Sequence, residues 1–305
     1  MAGGRGHRSP PRGPGWAIPG GPRHLLGGGR LRARLWGTRG SIASAGPATA
    51  RYGGDTSSVE VRSGEGRLIV LDAGSGMRAL GAEVRDVEKV DVLITHLHMD
   101  HIQGLPFFSP LHDPDIWVDV WGPVSSHQSL QERLNRYLSP PLFPIRIRDL
   151  ESVAFHDVAP GEFHLDGIQV TADLVSHPGP TLGFRLEEGG RALTYLPDHE
   201  PALGAHDFPN DSYWTSGYAL ARGADVLIHD SQYTDEEYAE RLGWGHSSYT
   251  HVLGFAGLCE VDRLMTFHHD PGHTDETLDE AHVRLQQAAR GFEVIPGTHG
   301  AVIEV

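Results

Sequence analysis

An apolar run, Val90-Asp91-Val92-Leu93-Ile94, passes through Thr95 straight into His96-Leu97-His98-Met99-Asp100-His101. The end of a strand, close to a core, is a costly place for four polar side chains unless they share a partner. On extended backbone, residues two apart point to one side. His96, His98 and Asp100 can therefore converge, with His101 turning in from the segment that follows. Three imidazoles and one carboxylate within six residues suit one or two divalent ions such as Zn²⁺ or Mn²⁺. The rest of the chain has to hold that strand end rigidly, and the other 17 of the 20 histidines offer further donors.

Composition narrows what such a centre can be. The single cysteine, Cys259, excludes a disulfide scaffold, a Cys-ligated zinc finger and an iron–sulfur cluster, each of which needs several thiols. Hydrophobic residues make up 39% of 305, enough for a sizeable core. No run reaches the ~18–20 apolar residues of a membrane-spanning helix. The formal charge is -15, and Lys89 is the only lysine, so a broad basic grip on nucleic acid is disfavoured. Residues 1–30 differ from the remainder: ten Gly, five Pro and five Arg, with no Asp or Glu. That composition buries too little apolar surface to offset its ordering entropy, and the segment is expected to be a disordered tail. Residues 31–305 are expected to form the folded domain.

Strand patterns fall at Leu31–Trp36, Ser58–Arg62, Leu68–Asp72, Val90–Thr95, Ile116–Trp121, Ser152–His156, Ile168–Val175, Leu182–Leu186, Ala192–Leu196, Asp225–Asp230, Arg263–Phe267 and Phe292–Ile295. Helical patterns fall at Met77–Val84, His127–Leu138, Tyr213–Arg222, Asp235–Arg241, Tyr249–Leu258 and Asp275–Ala289, the last with Thr274 as N-cap. Early strands cluster as hairpins and late strands alternate with helices. The pattern predicts an α/β (α+β) protein, two mixed sheets sandwiched by helices in a single domain.

The His-x-His-x-Asp-His segment resembles the signature of the metallo-β-lactamase superfamily, and the resemblance extends from about Leu31 to the C-terminus. It implies a four-layer αββα sandwich. It also implies roles for motifs that are ambiguous alone. Asp72, in Leu71-Asp72-Ala73-Gly74, matches an aspartate that supports the site from behind the ligands. His177, in Ser176-His177-Pro178, matches the third histidine of the first metal. Asp198, in Tyr195-Leu196-Pro197-Asp198, matches the carboxylate that bridges both metals, and His268 matches the last ligand. The implied sets are His96, His98 and His177 for one ion and Asp100, His101 and His268 for the other, with Asp198 shared. A shared anion offsets the repulsion between two dications ~3.5–4 Å apart. His269, Asp270 and His273 are expected behind the ligands or facing solvent.

Two further segments are similar to the tRNase Z-like phosphodiesterase branch of that superfamily: Val226-Leu227-Ile228-His229-Asp230-Ser231 and Gly245-His246-Ser247-Ser248. Asp55-Thr56-Ser57-Ser58 resembles a third, weaker element. The resemblance implies that Asp230 orients and charges His246, that His246 donates a proton to the phosphoryl or departing oxygen, and that Asp100 accepts one while it ligates. Serines after His246 would equally cap a helix. The tRNA-processing members carry a long arm between the third His and the bridging Asp, but here His177 and Asp198 are 21 positions apart. The expected activity is therefore hydrolysis of small or cyclic phosphodiesters, of cyclic nucleotide type. Alternatives are a tRNA 3′-end endoribonuclease, a thioester or lactone hydrolase, and a non-catalytic nucleotide-binding protein. The accompanying expectations are a small phosphodiester as substrate, no membrane and no stable tRNA complex, a cytoplasmic location, and a homodimer. Leu105-Pro106-Phe107-Phe108 is expected either to pack on the core or to offer a stacking surface.

Overall fold

The computed structural model describes residues 30–305. The tail expected over 1–30 lies outside the described residues apart from Arg30. Fourteen strands form two seven-stranded sheets. Across the first lie β14 (Val302–Glu304), β1 (Arg32–Gly37), β2 (Ser58–Arg62), β3 (Leu68–Leu71), β4 (Lys89–Leu93), β5 (Trp117–Pro123) and β6 (Val153–Val158). Across the second lie β13 (Glu293–Ile295), β12 (Arg263–Phe267), β11 (Val226–Asp230), β10 (Arg191–Leu196), β9 (Leu182–Glu188), β8 (Ile168–Leu174) and β7 (Gly161–Leu165). Each sheet is antiparallel on one side and parallel on the other: β3 to β6 pair parallel, as do β10 to β13.

Alternation along the strands divides the apolar residues among three interiors. In β11, Val226 and Ile228 join the core between the sheets, while Leu227 packs on the helix side. All five β11 residues are buried, as expected of a parallel strand covered on both faces. The central core runs from Leu35, Val59 and Leu71 of the first sheet to Phe184, Tyr195 and Phe267 of the second. Outside the first sheet, Val70, Val92 and Val120 pack against α1 (Met77–Glu83) and the later α3 (Leu130–Leu134). Outside the second, Leu196, Leu227 and Leu264 pack against α4 (Tyr218–Ala221), α6 (Tyr249–Leu258) and α7 (Asp275–Ala288). Each fully buried Leu, Val or Phe contributes roughly 1.5–3 kcal/mol, so the layers hold together as one domain of αββα form. Between α1 and α3 lies one helical turn, α2 (Met99–Ile102), and α5 spans Asp235–Ala239.

Several elements differ from the sequence pattern. β7 and β14 carry no clear apolar alternation and complete the sheet edges by pairing with β8 and β1. The pattern over His127–Leu138 yields α-helix only at Leu130–Leu134, and that over Tyr213–Arg222 only at Tyr218–Ala221, where Gly217 at φ 72° blocks an earlier start. β3 ends at Leu71 because Asp72 turns left-handed, φ 58°. β4 ends at Leu93, and the histidine segment continues not as strand but into α2, with His98 at its N-cap. Thr274 does cap α7, accepting from the N–H of Thr277.

Candidate metal centre

Loops at one end of the two sheets bring seven donor side chains together. One group holds His96, His98, His177 and Asp198, another Asp100, His101, Asp198 and His268, and within each the ligand atoms lie within 4.8 Å of one another. The split between them comes from α2. The turn places Asp100 and His101 in the second group, with the His101 ring still 4.3 Å from that of His96, so simple strand alternation, which would put Asp100 with His96 and His98, does not apply. Asp198, buried at the end of β10, divides its two oxygens. Oδ2 lies 3.7 Å from Nε2 of both His96 and His177, and Oδ1 lies 2.9 Å from His101 Nε2 and 3.2 Å from His268 Nε2.

These spacings fit metal ligands. Tetrahedral Zn²⁺ with bonds of 2.0–2.1 Å sets its donors about 3.3 Å apart. In the second group, Asp100 Oδ2 is 3.3 Å from His101 Nε2 and 3.2 Å from His268 Nε2. In the first, His177 Nε2 and His98 Nδ1 are 3.2 Å apart. Three of the atoms are buried with no hydrogen-bond partner: His96 Nε2, His101 Nε2 and Asp198 Oδ1. His101 Nε2 and Asp198 Oδ1 stand at hydrogen-bond length without hydrogen-bond direction, as donors to a shared ion would. Burial pushes the His96 and His177 pKa values down, which favours the neutral, ligating imidazole. Burial alone would raise Asp198, but His101, His268 and His96 outweigh it and keep the carboxylate charged.

The opposite edge of four of the five rings is held, all but the exposed His98, which fixes which nitrogen faces the centre. His101 Nδ1 donates to Asp72 Oδ2 at 2.8 Å, His268 Nδ1 to Gln232 Oε1 at 2.9 Å, and His177 Nδ1 to the Gly245 carbonyl at 2.8 Å. His96 Nδ1 meets Thr95 Oγ1 at 3.0 Å, and that hydroxyl also bonds Asp72. Tyr195 Oη donates to Asp72 Oδ2 at 2.9 Å. Asp72 thus gathers Thr95, His101 and Tyr195, and it does so from a left-handed backbone. His268 is left-handed too, φ 56°. Such conformations cost about 1–3 kcal/mol outside glycine and cluster at functional sites.

Beside both groups lies a pair that belongs to neither ligand set. His246 Nδ1 is 2.7 Å from Asp230 Oδ2, at the end of β11. The His246 ring stacks on His268 with centroids 5.1 Å apart and meets His177 edge-on at 5.1 Å. Burial disfavours the charged ring, but the Asp230 carboxylate outweighs it and raises the His246 pKa to about 9. Asp230 is held in turn by the N–H groups of His199, Gln232 and Ser247. Ser248 is also a helix cap, accepting from His251 N, so the cap and the His246 pair coexist.

Other expected residues fall outside the centre. His269 and His273 are buried, 2% and 6% exposed, not solvent-facing. His269 Nε2 bonds the Gly297 carbonyl and His273 Nε2 bonds Glu237. Leu105, Pro106 and Phe108 pack in the core, while Phe107 is exposed against Phe143. Asp55 binds Ser75 Oγ at 2.7 Å and braces the Asp72 loop. The sequence gives no separate signal for Thr95, Tyr195, Gln232 and Glu200. Tyr195 and Gln232 lie within or directly beside quoted motifs, but only the fold reveals their partners.

The beta-lactamase superfamily domain matches residues 67–269, about two-thirds of the chain. Ribonuclease Z of Leuconostoc mesenteroides subsp. mesenteroides is 29% identical over 229 residues, covering 60% of this chain and 69% of that protein. Among solved structures, the metallo-beta-lactamase fold protein YhfI of Bacillus subtilis superposes with TM-score 0.66 at 16% identity, covering 91% of this chain and 100% of that one. Zn²⁺-bound PqqB of Methylobacterium extorquens superposes with TM-score 0.64 at 18% identity, covering 90% and 100%. No helix among the described residues is long and apolar enough to cross a membrane. With two sheets flanked by helices and a His/Asp centre fit for divalent ions at their shared end, the chain belongs to the beta-lactamase superfamily, as a metal-dependent hydrolase on the metallo-β-lactamase fold.

Proposed function

We propose that this chain is a dinuclear phosphodiesterase of ribonuclease Z type, acting on RNA. The observation that carries the reading is the Asp230–His246 pair, 2.7 Å apart, with the His246 ring stacked over a ligand of one group and against a ligand of the other. A proton donor so placed serves a departing alkoxide, which phosphodiester cleavage produces. The relatives named Ribonuclease Z support this alternative better than the cyclic nucleotide reading expected from sequence.

His96, His98, His177 and Asp198 Oδ2 would hold one ion, and Asp100, His101, His268 and Asp198 Oδ1 the other. Two bound dications, Zn²⁺ or Mn²⁺ by donor type, would polarise the phosphate oxygens and bring the pKa of water at the centre towards ~7. Asp100, whose Oδ2 also accepts from Ser41 N at 2.8 Å, is placed to accept the proton of the attacking water. Asp230 keeps Nδ1 of His246 protonated and its ring fixed, so Nε2–H donates to the departing oxygen.

A second reading, hydrolysis of small phosphodiesters, draws on one observation. β9 and β10 join through a two-residue Gly189-Gly190 turn with both φ positive, the tightest kind of hairpin, and no arm intervenes between His177 and Asp198. Incubation of the metal-loaded protein with a 3′-extended precursor tRNA, a cyclic nucleotide, bis-p-nitrophenyl phosphate, a lactone and a thioester separates the possibilities. Trailer removal is expected. Cleavage of the cyclic nucleotide alone transfers the assignment to the second reading, and cleavage of lactone or thioester alone refutes both.

A further inference from the structure

Glu200 lies two residues beyond Asp198 and is fully buried, yet no Lys, Arg or His among the described residues pairs with it. A buried carboxylate without a cation survives only if its oxygens are filled by donors. Here Oε1 accepts from Gly204 N at 2.7 Å, Tyr238 Oη at 2.8 Å and Gly243 N at 2.9 Å. Oε2 accepts from Gly245 N alone, at 2.7 Å. Gly245 is the residue whose carbonyl takes the His177 Nδ1 proton, and the next residue is His246. Its φ of +90° and its closeness to His177 and Pro178 leave no room for a side chain: a Cβ would lie 2.5 Å from His177 Nδ1.

We infer that Glu200 is a positioning residue. Its Oε2 fixes Gly245, and Gly245 sets both the His177 ring and the backbone from which His246 reaches the centre. The inference rests on the proposed roles of His177 and His246. A backbone bond from Glu200 N to Ser176 O and a side-chain bond from Ser247 Oγ to His199 O tie the same three segments together.

Glu200→Gln tests this with little change in shape. Three donors claim the Oε1 position, so the amide nitrogen falls at Oε2 and faces the Gly245 N–H, donor against donor. Titration of the whole protein with Zn²⁺ against a chromogenic chelator should show one of two equivalents weakened about 10–100-fold, the usual effect of losing a ligand's supporting partner. The other equivalent should stay within about twofold. Tyr238→Phe removes bonds to Oε1 and to the Ala205 carbonyl but leaves Oε2 on Gly245, and it should leave both equivalents as in the wild type. Gly245→Ala should reproduce the selective loss, and it decides the matter if Glu200→Gln does not fold. Wild-type affinity for both ions in Glu200→Gln or, failing that, in Gly245→Ala overturns the inference, as does equal weakening by Tyr238→Phe. A wild-type protein that binds two ions but cleaves no phosphodiester would refute the proposed function and leave this readout intact.

Discussion

His246→Ala is the most discriminating perturbation of the centre. The ring clusters with Asp230 and His268 but is outside the two groups that share Asp198, so the content of those two ions should not change. With the Asp230 carboxylate 2.7 Å from Nδ1 and the pKa raised to about 9, most of the rings are protonated at pH 7.5 before any effect of bound dications. Loss of such an acid costs roughly 10²–10⁴ in turnover, or about 2.7–5.4 kcal/mol of barrier. The loss should be near full for an RNA alkoxide and shrink below about tenfold for p-nitrophenolate, which departs without a proton. Asp230→Asn should act more weakly. Without that carboxylate the burial that disfavours the charged ring is no longer offset, so the protonated fraction at neutral pH falls and turnover falls with it. The sign in pH follows: the active form is the protonated one, so activity falls as pH rises through the His246 pKa, which the dications bring below about 9. Single-turnover rates on matched RNA and p-nitrophenyl substrates, with metal content measured on the same samples, read this out. Equal slowing of both leaving groups would refute proton donation, and no slowing of either would reduce the pair to structural support.

Purified without chelator, the protein should carry about two equivalents of Zn²⁺ or Mn²⁺ by elemental analysis, and Asp198→Ala should lower both occupancy and activity; full occupancy in that variant would refute the shared carboxylate. Tyr195→Phe removes a fully buried hydroxyl from Asp72 while leaving the Thr95 and His101 bonds. It should cost about 1.5–3 kcal/mol in denaturant unfolding, the worth of a hydrogen bond to a charged group, and an unchanged midpoint would contradict that role. Burial pushes the Cys259 thiol up to about 12, so a thiol reagent should modify it only in unfolded protein; rapid labelling of the native state would contradict its burial.

The donors were legible because each sits at the end of an apolar run, where a polar residue needs a reason. Asp198 and His268 follow β10 and β12 in that way, and the two sheets could be drawn from the same runs. What sequence could not give was the geometry between runs. Strand periodicity puts Asp100 beside His96, but one helical turn at Met99–Ile102 sends it to the other group. Glu200 looked like any acid in a Pro-bounded loop, since its four donors come from residues 204, 238, 243 and 245, brought together only by folding. Tyr195 lies in an apolar run and belongs to the core, but its hydroxyl crosses to the other sheet. β7 and β14 went unseen because an edge strand buries one face at most, and its polar residues blur the alternation.

The seven donors are divided by ancestry in the chain: His96, His98, Asp100 and His101 hang from the first sheet, and His177, Asp198 and His268 from the second. Neither half can assemble either ion site alone. Bound ions would therefore act as removable cross-links between two layers that are otherwise joined by apolar contact and a few polar bonds such as Tyr195 to Asp72, closing a loop that spans 172 positions from His96 to His268. Ligand binding that requires the native state stabilises it in proportion to the logarithm of free metal. The supply of the divalent ion would thus govern how long the two layers stay docked. Separately expressed halves would recombine more readily with metal than without it.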